Sequence, residues 1–178
     1  QPGAERVTTA ALAARLEVSE AALYRHFASK AQMFEGLIEF IEHTVFALLN
    51  QIVPPGDAAP AASADTGGRQ AGRVVGVLLQ FAEKNPGMAR VMVGDALVFE
   101  NERLQQRMNQ FFDRVESTLR QCLRAAAQSA GSDTPTMDAQ VRAAVLTAFV
   151  MGRLQRFTRS GFRRMPSEHL DASLVLML

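Results

Sequence analysis

An all-helical chain is what this sequence predicts, on three observations. Apolar residues recur at spacings of three and four along most of its length. No apolar–polar alternation runs long enough for a strand. Helix punctuation, with serine or threonine before and proline or glycine after, falls at the ends of the periodic stretches. The 178 residues suffice for one domain or two small ones. With 48% hydrophobic and 21% charged residues, wholesale disorder is excluded and a sizeable core is within reach. A single cysteine, Cys122, excludes a disulfide scaffold or a cysteine-based zinc site and fits a reducing compartment. No apolar run reaches the ~20 residues that span a bilayer, and no internal repeat of fixed period is present.

The elements follow in order. Residues 8–16 read as a short helix capped by Thr8 or Thr9, with Leu12 and Leu16 one turn apart. After a break at Glu17 and Val18, Ser19 caps a second short helix over 20–27, with Leu23 and Phe27 on one face. Ser29 caps a long helix to about residue 53, whose apolar face is Met33, Phe34, Leu37, Ile38, Ile41, Val45, Leu48, Leu49 and Ile52, and Pro54 and Pro55 stop it. Residues 54–72, rich in Pro, Ala, Gly, Ser and Asp, are expected to be a mobile loop. A helix over 73–85 ends at Asn85, and Pro86 opens a short one over 87–93. A long amphipathic helix over about 101–128 carries the seam Leu104, Met108, Phe111, Val115, Leu119, Cys122 and Ala126. Another runs from about 136 to 160, with Val141, Val145, Ala148, Phe149 and Gly152 expected inward. Ser167 is expected to cap a last apolar helix over 168–178.

The net charge of +1 is unevenly spread. Residues 1–50 hold four Lys/Arg against six Asp/Glu, and residues 101–178 hold eleven against seven. Bulk charge therefore does not announce a nucleic-acid binder, and such a reading must rest on a local motif. That motif is residues 8–27. Ala13 is small enough for two helices to approach closely, Val18 plugs the turn, and Leu12, Leu16, Leu23 and Phe27 form a shared core. Glu17 stands where such turns favour a glycine with positive φ, at a cost on the order of 1 kcal/mol. The pattern is a helix-turn-helix whose second helix enters a major groove N-terminal end first. Thr8, Thr9, Ser19, Glu20 and Ala21 would approach bases or phosphates. Tyr24, Arg25 and His26 would face the backbone, and Lys30 would hold a phosphate.

Val18, Ser19, Leu23, Tyr24, Phe27, Ser29 and Lys30 in this spacing resemble the DNA-binding signature of the TetR family. Beyond the head the chain is similar to the nucleoid-occlusion branch of that family. The similarity runs through 37–42 and Asn85, Pro86, Gly87, Arg90 and Gly94. It continues through 96–100, Arg103, Leu104, Gln105, Phe157, Arg159, Ser160 and Phe162.

The resemblance implies a TetR-like architecture, with a helix-turn-helix head over 1–30 and a helical core and dimerisation domain over 31–178. It also implies roughly 20 or more upstream residues, helical and rich in Arg or Lys, completing the head. Its further implication is a cytoplasmic, nucleoid-associated homodimer on palindromic double-stranded DNA that antagonises assembly of the division protein FtsZ. The FtsZ-facing groove falls on Phe40, Lys84 and Asn85, with Lys84 where an arginine is expected and Leu48 and Gln80 departing from the polar and small residues of the pattern. Phe40 lies off the stripe of Phe34, Leu37 and Ile41, so partial exposure is expected for it.

Phe149, Leu154 and Phe157, with Leu170 and Leu174 of the last helix, are too apolar to leave in water and are expected to pair across a two-fold axis. Two recognition helices would then stand about 34–36 Å apart. The arginines at 153, 156, 159, 163 and 164 read as a solvated face beside that interface, or as a second nucleic-acid surface. The alternative function is a TetR-type repressor released from its operator by a small molecule held among Met88, Met92, Phe99, Met108 and Phe112. No catalytic constellation, cofactor motif or metal-ligand spacing is present: His26, His43 and His169 share none with one another or with Cys122.

Overall fold

The computed structural model describes residues 10, 14, 21–22, 27–54, 64–97 and 100–178. Among them every regular element is helical, as the periodicity predicts. The helices are α1 (Lys30–Ile52), α2 (Ala64–Lys84), α3 (Pro86–Met92), α4 (Glu102–Ser129), α5 (Pro135–Arg159) and α6 (Leu170–Met177), with a 3-10 turn at Asp95–Leu97. The broadest packing is between α4 and α5. Helix α2 lies against α4 and also meets α1 and α5, while α3 bridges α1, α2 and α5.

Four of the helices start where their chemistry asks them to. Ser29 Oγ accepts from the Gln32 amide at 3.2 Å, so the expected cap of α1 is made. Asn101 Oδ1 accepts from the Arg103 amide at 3.0 Å and caps α4. Pro86 and Pro135 open α3 and α5, where a missing N–H costs nothing. At the α4–α5 corner Gly131 supplies φ 76°. There the Ser132 and Thr134 hydroxyls donate to the Asp138 carboxylate at 2.6 and 3.1 Å, holding that carboxyl below its usual range. The α4 seam is buried along its whole length, as expected, and gains Phe112 and Leu123.

Three expectations need correction. The expected loop over 54–72 is helical from Ala64 onward. Its small residues serve helix packing: a side chain at Gly67 would stand 2.5 Å from the Cys122 carbonyl oxygen and 2.8 Å from Ala126 Cβ. Glycine there lets α2 press onto α4, which offsets its poor helix propensity. Secondly, α6 begins at Leu170, after His169 in the left-handed region at φ 55°. Ser167 does not cap it; its amide and hydroxyl both donate to Glu83 Oε1, at 2.8 and 2.6 Å, tying the chain to the end of α2.

The third correction concerns which face of α5 is inward. Ala139, Ala143, Leu146, Thr147, Val150, Leu154 and Phe157 are buried. Val141, Val145, Ala148 and Gly152 are exposed, and Phe149 is half-buried beneath the Arg153 guanidinium, 4.9 Å from its ring. Helix α5 is apolar on nearly every side, so periodicity could not choose its phase.

Candidate functional site

The head meets the body at the start of α1. Phe27, half-buried, lies against Gly36, where an added Cβ would stand 3.2 Å from the ring. One turn of backbone away, Lys30 Nζ pairs with Glu100 Oε1 and lies 5.7 Å from the centroid of the Phe34 ring. Both charged groups are largely shielded from water. Lys30, expected on a phosphate, is therefore held by a carboxylate of the segment leading into α4. Glu100 carried no individual signal in the sequence, because a pair 70 positions apart leaves no periodic trace. Of the remaining expected DNA contacts, Ala21 is helical and exposed. Thr8, Thr9, Ser19, Glu20, Tyr24, Arg25 and His26 lie outside the described residues.

The expected partner groove is brought together. Phe40 is 48% exposed on α1, and its ring meets the buried Phe81 of α2 at 6.4 Å between centroids. Asn85 Nδ2 donates to the Phe81 carbonyl at 2.8 Å, fixing the last turn of α2 on which Phe40 rests. Lys84 is exposed beside it, and Leu48, two turns further along α1, is also exposed. The result is a half-open aromatic next to an exposed cation and a pinned amide. Such a surface suits a short peptide with apolar and acidic groups. Deeper on α1, Glu42 accepts from Arg107 Nη2 at 2.7 Å and Nε at 3.3 Å, joining α1 to α4. That hydrogen-bonded pairing raises the Arg107 pKa against the cost of its burial. Glu42 is thus a structural strut, while Glu39 is exposed.

The residues expected to pair across a two-fold axis are not the ones left open on α5 and α6. Leu154 and Phe157 are buried within their own chain. Leu170 and Leu174 of α6 turn toward α2, over Gly76 and Gly72. On α5 and α6 the large apolar side chains left in water are Met137, Val141, Val145, Met151, Val175 and Leu176, the last 88% exposed.

The residues read as a small-molecule pocket belong to the core: Met92, Met108 and Phe112 are buried and Met88 packs against them. Phe99 lies outside the described residues. Cys122 is buried on the α4 seam, and burial pushes its thiol up to about 11. No group of His, Cys, Asp and Glu able to hold a metal ion occurs among the described residues. No helix among them is long and apolar enough to cross a membrane.

Comparison with known proteins gives this geometry a family. Residues 1–37 match the family described as bacterial regulatory proteins, tetR family, and residues 69–178 match the SlmA-like family described as tetracyclin repressor-like, C-terminal domain. The nucleoid occlusion factor SlmA of Photobacterium profundum is 48% identical over 169 residues, covering 95% of this chain and 82% of that protein. SlmA of Vibrio cholerae is 47% identical over 175 residues, covering 98% and 85%. SlmA of Idiomarina loihiensis is 46% identical over 176 residues, covering 99% and 85%. Among solved structures, the transcriptional regulator FadR from Bacillus subtilis in complex with stearoyl-CoA aligns with a TM-score of 0.67 over 96% of this chain and 87% of that one. At 13% identity that likeness speaks for the fold alone. The chain belongs to the SlmA family of nucleoid occlusion factors, a branch of the TetR family of helix-turn-helix DNA-binding proteins.

Proposed function

We propose that this protein sits as a homodimer on palindromic chromosomal DNA in the cytoplasm and, from there, antagonises FtsZ assembly, so that division is blocked over the nucleoid. The head reads the DNA through Ser19, Glu20 and Ala21, with Thr8, Thr9, Tyr24, Arg25 and His26 on the flanking backbone. Lys30 exchanges Glu100 for a phosphate when DNA is bound. The two-fold surface is the exposed apolar stripe of Met137, Val141, Val145 and Met151 with Val175 and Leu176 of α6. It supersedes the pairing expected through Phe149, Leu154, Phe157, Leu170 and Leu174. FtsZ docks on Phe40, Lys84 and Asn85.

The observation that carries this reading is Phe40. A large aromatic half in water, supported from behind by Phe81 and flanked by Lys84, is what a peptide-docking hot spot requires and what a sealed core does not. The test is sedimentation of FtsZ polymers with GTP and this protein, with and without a palindromic duplex. Polymer is expected to fall when the duplex is present. Polymer left untouched at saturating protein and DNA overturns the reading.

A further inference from the structure

Between Asp138 and Glu168 the sequence contains six arginines and no acidic residue. One of them, Arg142, reaches the Leu178 carbonyl at 3.1 Å. The other five crowd the last two turns of α5 and the turn that follows. Arg153 folds back onto Phe149 and donates to Ser173 at 3.2 Å. Arg156, Arg159, Arg163 and Arg164 are all exposed, and none forms an ion pair among the described residues. The nearby carboxylates are engaged elsewhere: Glu83 holds Ser167, and Glu168 faces His169 at 3.7 Å.

The turn presenting them is well braced. Phe162, at φ 64°, meets Phe157 edge-on at 5.1 Å between ring centroids. Ser160 Oγ accepts from the amides of Arg163 at 3.1 Å and Arg164 at 3.0 Å, and the Arg163 Nε donates to the Ser160 carbonyl at 2.8 Å. Pro166 is buried and Ser167 is tied to α2. Arg156 and Arg159 complement the dipole of α5. Arg163 and Arg164 lie beyond its last turn, so the helix does not account for them. Four guanidinium forks without counter-charges suit the phosphates of a polyanion.

Their placement selects which polyanion. Phe27 and the pair of Lys30 with Glu100 mark the head end of the bundle. Helix α2 runs antiparallel to α1, so Glu83, and Ser167 with it, lie toward that end, where α3 also packs on α5. Residues 101–178 sum to +4, so the C-terminal part of the body carries a positive field of its own. We infer that the exposed patch of Arg156, Arg159, Arg163 and Arg164 is a second, sequence-independent contact to the phosphate backbone of the duplex that the head holds. This rests on the DNA-binding part of the proposed function.

The test measures binding of the full chain to a mixed-sequence duplex of about 40 bp over a range of salt concentrations, by fluorescence anisotropy. Removing one arginine from a phosphate lowers the slope of log K against log salt by about 0.9. Arg163→Ala with Arg164→Ala is expected to lower the slope by about 1 to 2 and to weaken binding about tenfold near physiological salt. Arg156→Ala with Arg159→Ala is an independent second pair with the same expectation. Arg163→Lys with Arg164→Lys should retain the slope, because the charge is kept. Arg120→Ala with Arg124→Ala removes the same charge from the other end of the bundle and should leave the slope as in the wild type. Sedimentation velocity confirms that each variant keeps its fold and assembly state.

Equal slopes for the Arg163/Arg164 and Arg120/Arg124 alanine pairs overturn the inference and leave DNA binding by the head intact. Wild-type protein that fails to bind any duplex overturns the DNA-binding reading and the patch with it. Unchanged DNA binding with loss of the effect on FtsZ polymer reassigns the patch to an acidic protein segment, and also overturns the inference.

Discussion

Among the described residues, two surfaces group several apolar side chains in water, and they are built differently. The α5–α6 surface is long and mainly aliphatic, with Val141 and Val145 one turn apart, Val175 and Leu176 on α6, and Arg142 reaching from α5 to the Leu178 carbonyl. The α1–α2 surface is small and mixed, an aromatic and a leucine set among Glu39, His43 and Lys84. A wide aliphatic face resembles half of a core and suits permanent self-association. A single buttressed aromatic with a charged rim suits a partner that comes and goes. Under the proposed function, the first surface would hold the dimer while the second exchanges its partner.

The largest effect should come from breaking the first surface. Val145→Glu places two carboxylates in a symmetric apolar contact. It should raise the dimer dissociation constant about thousandfold, roughly 4 kcal/mol. Sedimentation equilibrium reads this directly, and an unaltered dimer would move the two-fold surface elsewhere.

Next comes a probe that sits on neither surface. With its pKa raised from 9.0 to about 11 by burial, the Cys122 thiol should react with a disulfide reagent at pH 8 about a hundredfold more slowly than in the unfolded chain. The same shift sets a sign for pH. The thiol favours the fold below pH 9.0, where it is protonated in both states, and that contribution is lost between 9.0 and about 11. If Val145→Glu also accelerates labelling, the dimer contact and the fold are one cooperative unit and the contrast between the surfaces narrows.

The smallest expected effect is at the second surface. Phe40→Ala should weaken the effect on FtsZ polymer about thirtyfold, roughly 2 kcal/mol. Dimerisation and DNA binding should be unchanged, because the side chain is already half in solvent. Loss of DNA binding in the same variant would show that the aromatic supports the head.

The sequence made helix ends legible and left helix phase partly hidden. Ser29 and Pro86 act locally, so their roles could be read from a few neighbours. Phe40 was also legible, because it breaks the regular stripe of α1. Helix α5 was not, since two apolar faces share it, one packed on α4 and one open, and a period of 3.6 fits both. Residues 64–72 were hidden for another reason. Gly67 carries its information in what it does not contain, a Cβ that would strike the backbone of α4. Lys30 was placed from the head motif alone, and its partner Glu100 lies in a distant segment that no local pattern joins to it.

That pair has a practical consequence. Lysine occurs only at positions 30 and 84. One ammonium is shielded by Glu100 at the start of α1, and the other stands open beside Phe40. Within these 178 residues the two amines can be tagged chemically, and their modification would report separately on the Lys30–Glu100 contact and on occupancy of the surface around Phe40.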